Sequence, residues 1–222
     1  MIIYAYILSV DIKSRCSRLS NKQVVMQKIA GLCGIICPLA SLSFTALAIS
    51  NSLSWFRWTD NALSDLAGTQ ATTTAAVLFN SGLIIGGLLS IIFAVGLMQV
   101  LRKRMLGLIG TFIFLLAGIS LFAIGVFPET AGRIHLYVSV AFFTLFPISL
   151  FFIGVSMVKE TSERNLGFAT ILFGIFAIIS AAPIILARVD DVGIHELLAA
   201  LSGSVWSIVF GIKLYRQSIL LA

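Results

Sequence analysis

SLSWFRWTDNALSDLAGTQATTTAAVLFN, Ser52 to Asn80, is the one long polar segment set between two strongly apolar ones. Its reading decides the fold. The apolar runs on either side are each long enough to cross a bilayer, so the segment is a loop outside the membrane. Trp55 and Trp58 then stand at the bilayer surface, where an indole keeps its ring in lipid and its N–H near water. Asp60 and Asp65 sit in the middle of the loop, and Asn80 is carried down into the next apolar run. The segment is therefore read as the lid of whatever site the protein has.

Composition points the same way. Of 222 residues, 59% are hydrophobic and 11% charged, and the mean hydropathy is +1.07; a soluble domain carries about 25% charged residues. A polytopic protein of the cytoplasmic membrane is expected. The formal charge of +6 does not point to nucleic acid as a partner, because the basic residues form short clusters beside apolar runs, which is the pattern of membrane topology. Cys16 lies in a basic arm and Cys33 and Cys37 in the first apolar run, so no disulfide framework is expected.

Six apolar runs follow one another near residues 29–49, 75–101, 105–126, 134–158, 166–187 and 194–214. Each spans a hydrocarbon core of roughly 30 Å as a helix. The fold class is all-α, because an open sheet would leave backbone groups unpaired in lipid and the runs lack the alternation of barrel strands. Residues 1–28 form a basic arm, 29–215 the transmembrane domain with loop 50–74 as the lid, and 216–222 a tail. The apolar residues 1–10 are too few to span and lead to no cleavage site, so a secretory signal is not expected; they lie on the membrane surface or precede a true start at Met26. Twelve of the fifteen basic residues fall in the arm, the Arg102–Arg104 turn, the loop with Lys159 and Arg164, and the tail, whereas Arg57, Arg133 and Arg188 lie in the alternate loops. Both termini are thereby placed in the cytoplasm. Six of the nine acids gather at the opposite face.

Local signals refine this picture. Asp60 to Ala67 reads as a short surface helix capped by Thr59 or Asp60 and stopped by Gly68, and Thr72 to Thr74 offer caps for the second span. Gly82, Gly86 and Ser90 make a small-residue stripe for close helix packing, within one subunit or between copies. Pro38, Pro147 and Pro183 fall inside spans. A shift of 60 residues superposes Ile134-His135 on Ile194-His195, the only two histidines, which suggests a repeat of two-helix hairpins.

SLSW, then NALSDLAG, FNSGL at Phe79 to Leu83, and GVFPE followed by a histidine, together resemble the family catalogued as domain of unknown function 998. The similarity runs from about Lys28 to Tyr215. It implies six membrane helices and no established activity.

The candidate site is the outer end of the bundle, where Asp60, Asp65, Asn80, Glu129, His135, His195 and Glu196 lie in or beside the lid and the starts of spans two, four and six. Two readings are open. Imidazole with carboxylate suits a divalent metal such as zinc, with His135 and His195 as ligands, Asp65 or Glu196 completing the shell and Asn80 orienting a substrate. Against this, carboxylates at helix starts serve as caps, as Asp190 and Asp191 fit, and boundary histidines and buried amides find protein partners. No H-E-x-x-H signature is present. The spans carry no acid or base at mid-bilayer, which disfavours a small-solute transporter. The leading expectation is a binding or accessory protein with a shallow polar pocket facing outward, its partners membrane lipid and another membrane protein or a second copy. Metal-assisted hydrolysis or group transfer on a lipid is the alternative.

Overall fold

The computed structural model describes residues 21–186 and 192–221. Readings that fall on Cys16, Arg188, Asp190, Asp191 or the segment before Asn21 lie outside the described residues.

Six helices carry the chain: α1 (Asn21–Ser50), α2 (Thr73–Leu101), α3 (Met105–Val126), α4 (Arg133–Val158), α5 (Arg164–Ile185) and α6 (Val192–Leu221). Each contains an apolar window long enough to cross a membrane. Among the described residues there is no strand. The outward faces are apolar too, with Leu172, Ile179, Val77 and Phe112 more than half exposed. Water would not tolerate so much bare hydrocarbon on every side, and lipid does. This is a multi-pass, all-α membrane protein. The first and last helices run beyond the apolar windows: α1 begins within the basic arm, with Lys22 and Lys28 exposed, and α6 continues through residues read as a tail. A helix satisfies its own backbone, so it does not stop where the lipid does.

The helices form a closed ring. Each packs on its neighbours in sequence, and α6 returns to α1. The closing seam needs glycine: a Cβ on Gly31 would meet Tyr215 N at 2.6 Å, and one on Gly211 would meet Gly31 O at 2.7 Å. Two helix backbones touch there with no side chain between them. Gly82 and Gly86 likewise lie against Phe44 and Ser41 of α1, and Ser90 Oγ lies 3.1 Å from Cys37 Sγ. The small-residue stripe is thus buried inside one chain.

The middle of the ring is filled by aromatic rings. Trp206 is 1% exposed, packs on Phe93, Phe114 and Phe210, and donates from its indole to Thr170 Oγ1 at 3.3 Å. Towards the basic end the core continues through Leu97, Leu101, Ile153, Met157 and Leu214. There Glu163, in the α4–α5 loop, accepts from Arg104 Nη1 and Lys213 Nζ, each at 2.6 Å. That contact joins two loops and α6.

At the other end residues 51–72 fold into a plug. Leu66 is wholly buried, and with Leu63, Ala67 and Phe56 it packs on Ala48 of α1 and on Ala75 and Phe79 of α2. Thr72 caps α2, accepting from Ala75 N at 3.1 Å. The surface helix expected over 60–67 is shorter, a 3₁₀ turn over Leu63–Ala67 preceded by Ala62. Asp60 is exposed and caps nothing, because Asn61 and Asp65 bond each other and close the turn from within. Gly68 ends the turn as expected, its N–H donating to Asp65 O at 2.9 Å, with φ at −86° and so without a left-handed conformation.

Candidate functional site

Hydrogen bonds tie the plug to the start of α6. Gly193 N donates to Asn61 O at 2.9 Å, and Leu63 N donates to Glu196 Oε2 at 2.6 Å. The Glu196 carboxylate thus supplies the cap that Ala62 cannot, from 133 residues away in sequence. Asp65 Oδ2 accepts from Asn61 Nδ2 at 2.8 Å and from Ala62 N at 3.1 Å. Glu129, in a 3₁₀ turn over Glu129–Ala131, lies across Gly68 and meets the Asp65 carboxyl within hydrogen-bond reach. Burial first, and the neighbouring Asp65 second, push the Glu129 carboxyl up to about 7. Gly132 then takes a φ of 64°, a turn that suits glycine, and launches α4 so that His135 points inward, 8% exposed. His135 Nδ1 donates to the Phe127 carbonyl at 2.8 Å, which ties the end of α3 to the start of α4.

Beneath the plug lies a cavity of about 150 Å³. It occupies the lid half of the ring, with Leu63 and Ser64 in its roof and Phe114 and Phe146 towards the central aromatic core. All helices except α5 contribute to its wall. The wall is mainly apolar, and its hydroxyl and thiol groups are largely spent on helix contacts: Ser41 Oγ donates to Gly82 O at 3.0 Å and Ser207 Oγ to Gly34 O at 2.7 Å. Apart from the Cys37 thiol, two ionisable side chains line it, His135 and Glu196. Glu196 is half-buried, its carboxyl accepting from Leu63 N where the residue lines the cavity.

The predicted site residues therefore divide. Asp65, Glu129 and Glu196 come together, since the charges acting on Glu196 are those of Asp65 and Glu129. His135 joins them at the cavity rim. Asp60 stays at the surface, and His195 is beside Glu196 in sequence but outside the cavity wall. Asn80 is also outside that wall; its Oδ1 is buried with no hydrogen-bond partner among the described residues, and its backbone carbonyl lies against Gly125 of α3. No group of three or more His, Cys, Asp or Glu among the described residues is arranged to hold a metal ion.

The family described as "Protein of unknown function (DUF998)" matches residues 35–213. The chain belongs to the DUF998 family. No curated protein and no solved structure matches it. The DUF998 match takes in the plug, every residue that lines this cavity and the Arg104–Glu163–Lys213 contact, and leaves out residues 1–34 and 214–222. Sequence reasoning missed the phenylalanines of α4, Phe142, Phe143 and Phe146, which line the cavity beside Ser139. Their spacing was the available signal, since residues three and four apart share one helix face.

Proposed function

We propose that this protein binds the apolar part of a membrane amphiphile in the cavity beneath the plug, with the basic end in the cytoplasm and the plug at the outer surface. The observation that carries the reading is an apolar space inside a membrane protein, roofed by a polar plug and edged by one carboxyl and one imidazole. Ligand sites have this composition: apolar walls supply affinity, and a few polar groups set orientation. A volume of about 150 Å³ is close to that of an engineered cavity that stays dry and takes up benzene, so a short hydrocarbon segment fits, not a whole lipid. The pocket is deeper and less polar than a shallow surface cup. A binding role is favoured over metal-assisted hydrolysis because the lining is mainly apolar and the acids and imidazole among the described residues form no group of three or more placed to share a metal ion.

Native mass spectrometry of the full chain, released from several mild detergents, tests the proposal. Wild type should retain an amphiphile that Ala200→Phe, which fills the cavity from α6, has lost while keeping its thermal melting profile. Equal retention by the two proteins, or none by wild type in any detergent, overturns it.

A further inference from the structure

The rim of the cavity has an unusual charge balance. The hydrogen-bond donors to Glu196 are the neutral backbone amides of Leu63 and Ser64. The other ionisable groups acting on it, Asp65 and Glu129, are both carboxyls. Among the described residues no lysine or arginine answers them, and the one imidazole on the cavity wall, His135, gives its Nδ1 to the Phe127 carbonyl. Arg57 turns its guanidinium to the carbonyls of Leu53 and Phe56, Arg133 is exposed at the start of α4, and Arg104 and Lys213 pair with Glu160 and Glu163 at the basic end. A phosphate, sulfate or carboxylate brought into the cavity faces the Glu196 carboxyl, with Asp65 and Glu129 behind it and no lysine or arginine in the lining, so an anionic head is disfavoured. A cation is drawn in.

The walls favour the same class. Phe79, Phe114, Phe142, Phe143 and Phe146 line the cavity, with Phe142 and Phe146 stacked at 5.9 Å between ring centroids. Aromatic faces attract a positive charge, most strongly where water is excluded, and suit quaternary ammonium groups in particular. An apolar space, aromatic rings and a carboxyl with no lysine or arginine partner among the described residues thus converge on one volume.

We propose that the cavity is a site for a lipophilic ammonium ion, its alkyl part among the phenylalanines and its charge opposite Glu196. This deepens the binding reading and rests on it.

Calorimetric titration of the full chain in detergent, with three probes sharing one tail, separates the two: hexyltrimethylammonium, hexanol and hexyl sulfate. The ammonium probe should bind about tenfold or more tightly than hexanol, as expected for a desolvated charge facing a carboxylate and aromatic rings, and the sulfate should not bind. Glu196→Gln, whose amide oxygen still accepts from Leu63 N, should abolish the preference for ammonium and leave hexanol binding in place. Phe142→Leu, which does not touch the plug, should reduce that preference severalfold and covers the case in which the Glu196 variant fails to fold. Equal binding of hexanol and the ammonium probe, or a preference unchanged by either variant, overturns the ammonium assignment while the cavity reading stands. No binding by any probe, together with no effect of Ala200→Phe, removes both.

Discussion

Glu196 is the residue on which the lid end turns, since it lines the cavity and also closes the first turn of the plug. A backbone donor inside protein that loses its acceptor costs about 1–3 kcal/mol, and loss of a helix cap about 0.5–2 kcal/mol. Glu196→Ala leaves Leu63 N without an acceptor, and the backbone there cannot turn to water because Leu63 is buried under Phe56 and Phe79. A loss of about 1–3 kcal/mol is expected. Glu196→Gln should lose less, because an amide oxygen still accepts. Unfolding titrations in mixed micelles, followed by the fluorescence of Trp55 and Trp58 on the plug, would report the order wild type, Gln, Ala. A Gln variant as weak as Ala would mean that charge, not the hydrogen bond, holds the plug.

At the scale of elements, the α1–α6 seam is where the ring closes. Gly211→Val places two methyl groups where a single Cβ already meets Gly31 O at 2.7 Å and Ile35 N at 2.9 Å, so the helices must separate. Overpacking of this kind costs about 1–3 kcal/mol, and more where the obstacle is backbone, as here. Gly31→Ala should suffer similarly, whereas Gly132→Ala, at a position where no neighbour lies within 4 Å, meets only its own φ of 64°. Retention of the wild-type unfolding midpoint by Gly211→Val would argue against a closed ring. The helices themselves were legible because hydrophobic length is a direct physical requirement of spanning lipid, and five of the six expected runs lie wholly within the helices that contain them; the other runs into residues outside the described set. Thr72 was legible as a cap because capping is local. The plug was not, because its turn is set by Asn61 with Asp65 and by Glu196, a partner far away in sequence. Glu163 was hidden for a related reason. In sequence it is one of two acids beside Lys159 and Arg164, and only packing places it between Arg104 and Lys213.

Across the whole molecule, the two ends hold their carboxyls in opposite ways, and pH should act on them in opposite directions. At the lid end Glu129 has its affinity for a proton raised to about 7 by burial and by Asp65. Its folded form binds more protons than the unfolded chain, so the stability it lends is complete below the ordinary carboxyl value and is lost as pH rises through about 7. At the basic end burial pushes Glu163 up, but Lys213 and Arg104 outweigh it and hold the carboxyl below its ordinary value. Its contribution is complete above the ordinary value and is lost as pH falls through the lower, folded one. Raising the pH should therefore loosen the plug first, and lowering it should loosen the junction of Arg104, Glu163 and Lys213. Hydrogen exchange, corrected for the intrinsic pH dependence of the chemistry, can watch both ends at once. Protection of the Leu63 and Gly193 amides should fall between about pH 6 and pH 8, where Glu129 ionises, and Glu129→Gln should remove that fall. Protection of the Arg104 and Gly167 amides should fall only in acid, and Glu163→Gln should lower it at neutral pH. If both ends lose protection together, the ring opens as one cooperative unit and the plug is no separate gate above the cavity.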